Sequence, residues 1–191
     1  GWPSEGVVGS VECGQGELWL CDSGCTERGR GVGHYDWQEF VSFTTEDGLA
    51  GNTVEVIFQD RTGCLWFGTG GTGNAEGGRV SRYDGQTFST FTHQDGLAGN
   101  SVNAIVEDRQ GHLWFGTKPG GLIRFDGEEF VTFTTQDGLA NNQVHSILED
   151  REGNLWVGAM GGSLCRYIGT QFATFTTQDG LAHNGVMSML E

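Results

Sequence analysis

Lysine is almost missing from this chain: Lys118 is the only one, and Lys plus Arg total 10 against 25 Asp plus Glu, a formal net charge of −15. A chain so poor in positive charge has no patch to neutralise phosphates. That argues against nucleic acid and against an anionic membrane surface as partners. Long apolar runs are missing too, so no segment is expected to span a bilayer as a helix. The opening GWPSEG carries neither an initiating methionine nor a signal peptide. It reads as a fragment or a processed product, so missing targeting signals say nothing of where the parent resides. Proline is down to 2 residues. Glycine, in contrast, reaches 34 of 191 residues, beside 11% aromatics. High glycine with aromatics and little proline is not a disorder signature. It fits many short strands joined by tight turns, where glycine supplies positive φ.

The organisation is a tandem repeat. Phe43 to Ala50 (FTTEDGLA), Phe91 to Ala98 (FTHQDGLA), Phe133 to Ala140 and Phe175 to Ala182 (both FTTQDGLA) are four versions of one octapeptide. Their aspartates, Asp47, Asp95, Asp137 and Asp179, are 48, 42 and 42 residues apart. Trp19, Trp66, Trp114 and Trp156 are a second marker, 47, 48 and 42 residues apart, each inside an L-W-F/V/L segment. Residues 96–137 match 138–179 at 24 of 42 positions without gaps. Such a period is the first thing to read in a sequence.

Within the unit 96–137 the strand signals are short. Val102 to Glu107 is apolar and β-branched, Asp108-Arg109-Gln110-Gly111 reads as a tight turn, and His112 to Thr117 is a second strand. Lys118-Pro119-Gly120 reads as a loop, Gly121 to Phe125 as a third strand, Asp126-Gly127 as a hairpin turn, and Glu128 to Thr134 as a fourth strand. Four strands in about 42 residues leave no room for a helix. The pattern predicts an all-β fold, a β-propeller of about four blades of four antiparallel strands plus one extra inner strand. The blades fall at about 5–47 (degenerate), 48–95, 96–137, 138–179 and a partial 180–191, one propeller domain or part of a larger ring over 1–191. The octapeptide is then a joint from the outermost strand of one blade to the innermost of the next. Leu139 plugs the seam, and Asn142 bonds backbone as an Asx-type turn.

The pattern N-x-V-x-x-I-x-E-D-R-x-G-x-L-W-F-G-T, then G-L-x-R-Y/F-D-G, then F-x-T-F-T-T-x-D-G-L resembles the two-component regulator propeller repeat. The resemblance runs strongly over about 40–191 and weakly over 5–40, at Val8 to Glu12, Gly16 to Leu20, Tyr35-Asp36 and Phe40. It implies a periplasmic or extracellular sensor region of a bacterial hybrid two-component regulator. Such regions form seven-bladed rings ahead of a membrane helix, a histidine kinase and often a DNA-binding output. No kinase or receiver segment stands in this sequence. Open blade edges, if the ring is larger, offer a route to self-association.

The chemistry-bearing residues divide by whether they recur. Asp60, Asp108 and Asp150 each sit in a D-R-x-G turn, and recurrence at one turn argues for capping, not catalysis. The four tryptophans recur likewise, which favours core over sugar-stacking platforms. The five cysteines, Cys13, Cys21, Cys25, Cys64 and Cys165, fit no metal spacing, although Cys21 and Cys25 are placed to close a small disulfide loop. No cofactor or metal is implied, and no G-x-S-x-G or H-E-x-x-H is present. Trp37 replaces a turn glycine and is expected at the surface.

Where the repeats diverge, one end of the propeller is concerned. Glu55, Asn103, His145 and Met187 occupy one position at the start of the inner strand. The loop Gly70 to Gly78 (GGTGNAEGG) is longer than its counterpart at Lys118 to Gly121, and Cys21 to Gly33 is long and charged. The candidate ligand-binding residues are therefore Glu55, Asn74, Glu76, Asn103, Lys118 and His145, around one mouth. A small polar ligand, such as a glycan fragment, suits such a set. The rival reading is a protein-interaction scaffold with no small-molecule site. An enzyme, such as a propeller lyase, stands third, because no catalytic constellation is visible.

Overall fold

The computed structural model describes residues 7–12, 16–22, 31–70, 79–161, 163–183 and 185–189. Among the described residues, sixteen strands form four antiparallel sheets, each built from four consecutive strands in chain order. The first blade holds β1 (Val7–Glu12), β2 (Leu18–Asp22), β3 (Val32–Tyr35) and β4 (Phe40–Phe43). The second holds β5 (Val54–Gln59), β6 (Leu65–Thr69), β7 (Val80–Tyr83) and β8 (Phe88–Phe91). The third holds β9 (Ser101–Glu107), β10 (Leu113–Lys118), β11 (Gly121–Phe125) and β12 (Phe130–Phe133). The fourth holds β13 (Val144–Glu149), β14 (Leu155–Ala159), β15 (Ser163–Tyr167) and β16 (Phe172–Phe175). Lys118, expected in a loop, instead ends β10, where it pairs with Ser101 of β9.

Apolar side chains line both faces of each sheet, so each blade buries itself only by stacking on the next. The core accordingly lies in three seams. Trp19, Val32 and Leu49 of the first blade and its joint meet Val54, Ile57 and Phe67 of the second. Trp66, Val80 and Leu97 meet Val102, Phe115 and Ile123, and Trp114, Leu122 and Leu139 meet Val144, Val157 and Cys165. Inner strands follow one another as β1, β5, β9, β13, and among the described residues no comparable packing joins β13 to β1. The four blades form an open arc. Residues 185–189 form no strand, yet Val186 lies against Gly158 as Val102 lies against Gly68.

Glycine makes this stacking close. A Cβ on Gly116 would fall 2.7 Å from Val144 Cγ1 of the following blade, and one on Gly68 would fall 2.8 Å from Val102 Cγ1. Either approach is nearer than real side chains permit, so the second strand of the second and third blades needs glycine where the next inner strand crosses, a position that Cys21 holds in the first blade.

The octapeptide is a single turn of 3-10 helix with a capping box. In the third copy, Thr134 accepts from Gln136 N–H (3.2 Å), and Asp137 Oδ2 accepts from Thr134 N–H (2.8 Å). Gly138 takes φ 96°, which a glycine adopts without the cost a side chain would add. That turn drives Leu139 into the seam, where it is 2% exposed. The same box and left-handed glycine recur in the other three copies. Asn142 does bond backbone, but not as an Asx turn. Its Oδ1 accepts from Thr135 N–H (2.8 Å), seven residues earlier, and so ties the end of the joint to its start. The local Asx turn belongs to Asn141, whose Oδ1 accepts from Gln143 N–H (2.9 Å).

Candidate functional site

The recurring aspartates and tryptophans form one latch in each of the second, third and fourth blades. In the third blade, Asp108 Oδ1 accepts from the N–H groups of Gln110 (2.9 Å) and His112 (2.8 Å). Its Oδ2 accepts from Trp114 Nε1–H (2.7 Å) and lies 3.1 Å from His112 Nδ1. Asp60 and Trp66, and Asp150 and Trp156, repeat the carboxylate–indole bond at 2.7 Å. Burial pushes each of these carboxyls up, but the hydrogen bonds to indole and turn N–H outweigh it. The result is a value below the usual carboxylate range, about 2 for Asp150. These are saturated, ionised structural groups, unsuited to proton transfer. Two of the latches also reach across their seams: Arg61 N–H donates to Glu107 Oε2 (2.7 Å) and Arg109 N–H to Glu149 Oε1 (3.2 Å). The sequence signal for that link is a Glu before one D-R-x-G and an Arg in the preceding one. The first blade has Cys13 six residues before Trp19, and there the indole stacks on His34 instead, with centroids 4.5 Å apart.

The variable residues lie at the other end. Gly70 N–H donates to Thr53 O, Asn100 N–H to Lys118 O and Met160 N–H to Gln143 O, so each second strand ends where an inner strand begins. The pairing register then shows what the sequence did not. Val54 and Val56 face Thr69 and Gly68, leaving Glu55 unpaired in a β-bulge. Asn103 occupies the same bulge between Val102 and Ala104, and His145 between Val144 and Ser146. A bulge re-aims its side chain out of the sheet's alternation, and such irregularities cluster near functional sites. The candidate position is thus one bulge per blade.

Each bulge residue has a different environment. The Glu55 carboxylate lies over Gly70, where a Cβ would come within 2.6 Å of Oε1. Asn103 Oδ1 and His145 Nε2 are buried and have no hydrogen-bond partner among the described residues. Burial, and then the nearby Lys118 ammonium, pushes the His145 imidazole below its usual range, so it is neutral at pH 7. The structure thus brings Lys118 and His145 together across the seam between the third and fourth blades. Asn74, Glu76 and the stretch 71–78 lie outside the described residues, as do Cys13 and Cys25.

Grooves also open on the latch side. One of about 500 Å³ is walled by Trp66, Arg82, Phe91, Phe125 and Phe130, between the second and third blades. A second, of about 360 Å³, occupies the equivalent place between the third and fourth, beside Trp114 and Tyr167. Because the groove recurs with the seam, it belongs to the repeat. Among the described residues, no group of three or more His, Cys, Asp or Glu is placed to hold a metal ion. No helix in the described chain is long and apolar enough to cross a membrane.

The profile described as two-component regulator propeller matches residues 48–71, 96–118 and 138–161. These three segments resemble two-component regulator propeller repeats. Each match spans a joint's end, an inner strand with its bulge, the D-R-x-G latch and the second strand. Among curated proteins, none matches the sequence.

Solved structures carry the same architecture. The extracellular domain of a hybrid two-component system from B. thetaiotaomicron matches with a TM-score of 0.76 at 24% identity, over 92% of this chain and 24% of that one. PorZ, a surface component of the type-IX secretion system of Porphyromonas gingivalis, matches with a TM-score of 0.68 at 17% identity, over 95% of this chain and 29% of that one. Virginiamycin B lyase from Staphylococcus aureus, solved with quinupristin, gives 0.64 at 14% identity, over 89% of this chain and 55% of the lyase. At these identities the likeness shows the β-propeller fold. The chain spans about a quarter of the first two structures, so its propeller repeats correspond to an arc of larger assemblies.

Proposed function

We propose that this chain is a sensory, ligand-binding propeller module of a bacterial two-component signalling protein, acting in the periplasm or outside the cell. The observation that carries the reading is the bulge. The repeats agree wherever they hold the fold and differ where the bulge lifts a side chain out of the sheet: Glu55, Asn103, His145. The ligand is a small polar molecule rich in hydroxyl groups, such as a glycan fragment. A neutral imidazole, an amide, one ammonium and one carboxylate together offer the mixed donors and acceptors that hydroxyls need. A strongly anionic ligand is opposed by the −15 charge and Glu55, and a strongly cationic one by Lys118. Binding at this mouth would signal by changing contacts between blades or between copies.

The test is a screen of neutral and acidic oligosaccharides by thermal unfolding. A ligand at 100 times its Kd stabilises by about 2.7 kcal/mol, or roughly 5–10 °C for a domain of this size. Joint replacement His145→Ala and Lys118→Ala abolishes that shift on this reading. A shift that survives the pair places the site elsewhere, and no shift across the screen favours the interaction scaffold.

A further inference from the structure

We propose that the latch-side groove between the second and third blades binds an arginine side chain presented by a basic segment of a partner protein. The groove lies at the opposite end of the blades from the mouth, and the proposal is independent of the ligand reading. Both of its walls are four-stranded sheets internal to the arc.

The groove as a shape belongs to the repeat, but its rings and its charge do not recur. Between the third and fourth blades the rings are Trp114 and Tyr167, and the carboxylates are Asp108 and Glu149, with Arg124 beside them. Between the second and third blades the rings are Trp66, Phe91, Phe125 and Phe130. Phe125 and Phe130 stack at 4.4 Å, Phe91 lies 5.6 Å from both, and Trp66 lies 5.7 Å from Phe91. Phe91 and Phe130 are only half-buried, which leaves ring surface to the groove.

Five carboxylates line the same groove, those of Asp60, Asp95, Glu107, Asp126 and Glu128, against one guanidinium, that of Arg82. The guanidinium is engaged elsewhere: it donates to Cys64 Sγ (3.1 Å) and lies 5.9 Å over the Trp66 ring. Of the five carboxylates only Glu107 has an ion-pair partner among the described residues, Arg61 at 3.9 Å. Asp60 is taken up by the latch and Asp95 by the cap of the joint. Asp126 Oδ1 holds its hairpin turn through the N–H groups of Glu128 and Glu129, which leaves Oδ2 free. Glu128 is exposed, and its carboxylate has no partner among the described residues. In the next blade the same hairpin tip reads Ile168-Gly169-Thr170, with neither acid. Divergence between the repeats thus falls on this rim as it does at the mouth.

Aromatic walls beside unpaired carboxylates favour a cation on an apolar stem. Arginine suits them best: its stem lies along the rings, its planar head stacks on a ring face, and its fork matches a carboxylate. The volume, about 500 Å³, falls within the roughly 300–1,000 Å³ of ligand sites. A net charge of −15 draws in a basic partner and repels a second copy of this chain.

Calorimetry and NMR of the indole N–H signals test this on the whole chain, with a capped Gly-Arg-Gly-Arg-Gly peptide as the probe. The peptide is expected to shift the Trp66 Nε1–H signal and to leave that of Trp114 in place. Glu128→Gln weakens binding by roughly threefold, the size of one exposed ion pair. Thr170→Lys changes the net charge by the same amount at the equivalent hairpin tip and leaves the affinity unchanged. Lysine in place of arginine in the peptide binds more weakly. Absence of binding overturns the proposal. So does binding that Glu128→Gln leaves untouched or that Thr170→Lys weakens as much, since that is general attraction to an acidic chain. Putrescine, a diamine of the same charge as the peptide, binding as tightly would also overturn it, because a diamine has no planar head to stack.

Discussion

Asp108 has every lone pair in use. It holds the turn through Gln110 and His112 and the seam through Trp114, so one carboxylate fixes both a hairpin and the indole that its neighbour blade packs against. Asp108→Ala should cost about 2–3 kcal/mol in urea unfolding, because it leaves a buried indole N–H and two turn N–H groups without partners. The carboxyls at 60, 108 and 150 sit below their ordinary range in the folded chain. Unfolded, they bind protons more readily, so their contribution is full above about pH 4 and is lost as pH falls through the lower folded values. A urea midpoint that is flat from pH 7 to about 5 and then drops toward pH 2 is expected. A midpoint that rises on acidification contradicts the latch. Trp37 is the other telling residue. It is the sole described non-glycine at positive φ, 71°, where the other blades have Gly85, Gly127 and Gly169. Its indole N–H donates to Gly16 O, and its ring meets Tyr35 edge-on, which together offset the backbone cost.

At the scale of elements, the joint and the seam make one unit. Leu139 and Leu181 are the same residue of the same octapeptide, yet only Leu139 has a complete blade packed over it. Leu139→Ala is expected to cost about 2–5 kcal/mol and Leu181→Ala less than about half of that, in matched denaturant titrations. Equal costs would mean that the octapeptide acts locally and not through the seam. Gly116→Val puts a side chain into Val144 and should cost about 1–3 kcal/mol or part the third and fourth blades.

Much of this was legible in the sequence. Period, blade count, joint and seam leucine all follow from the octapeptide, because each repeat must perform the same physical task. The bulge was not legible. Val54, Glu55 and Val56 look like an ordinary strand run, and only the pairing with Thr69 and Gly68 shows that Glu55 is skipped. Asn142 looks like a local turn residue in the sequence, because its partner, Thr135, lies seven residues away at the start of the joint. The sequence did pick out the bulge positions, since side chains not bound to the fold are those free to vary.

At the scale of the whole molecule, the four described blades carry one wall of variable side chains along the mouth. The function assigned to that wall makes His145 the reporter, since its neutral, unpartnered Nε2 is where a ligand hydroxyl would bond. Ligand affinity should hold steady from pH 8 to 7 and weaken only as acid carries the imidazole through its lowered titration range, which replaces an acceptor by a charge beside Lys118. The decisive measurement is a titration of the imidazole nitrogen signals of His145 by NMR, with an oligosaccharide that raises the unfolding temperature. If the account is right, the His145 signals shift and saturate at the Kd given by calorimetry, while those of His112 at the latch stay put. A ligand that binds with His145 unmoved would contradict it.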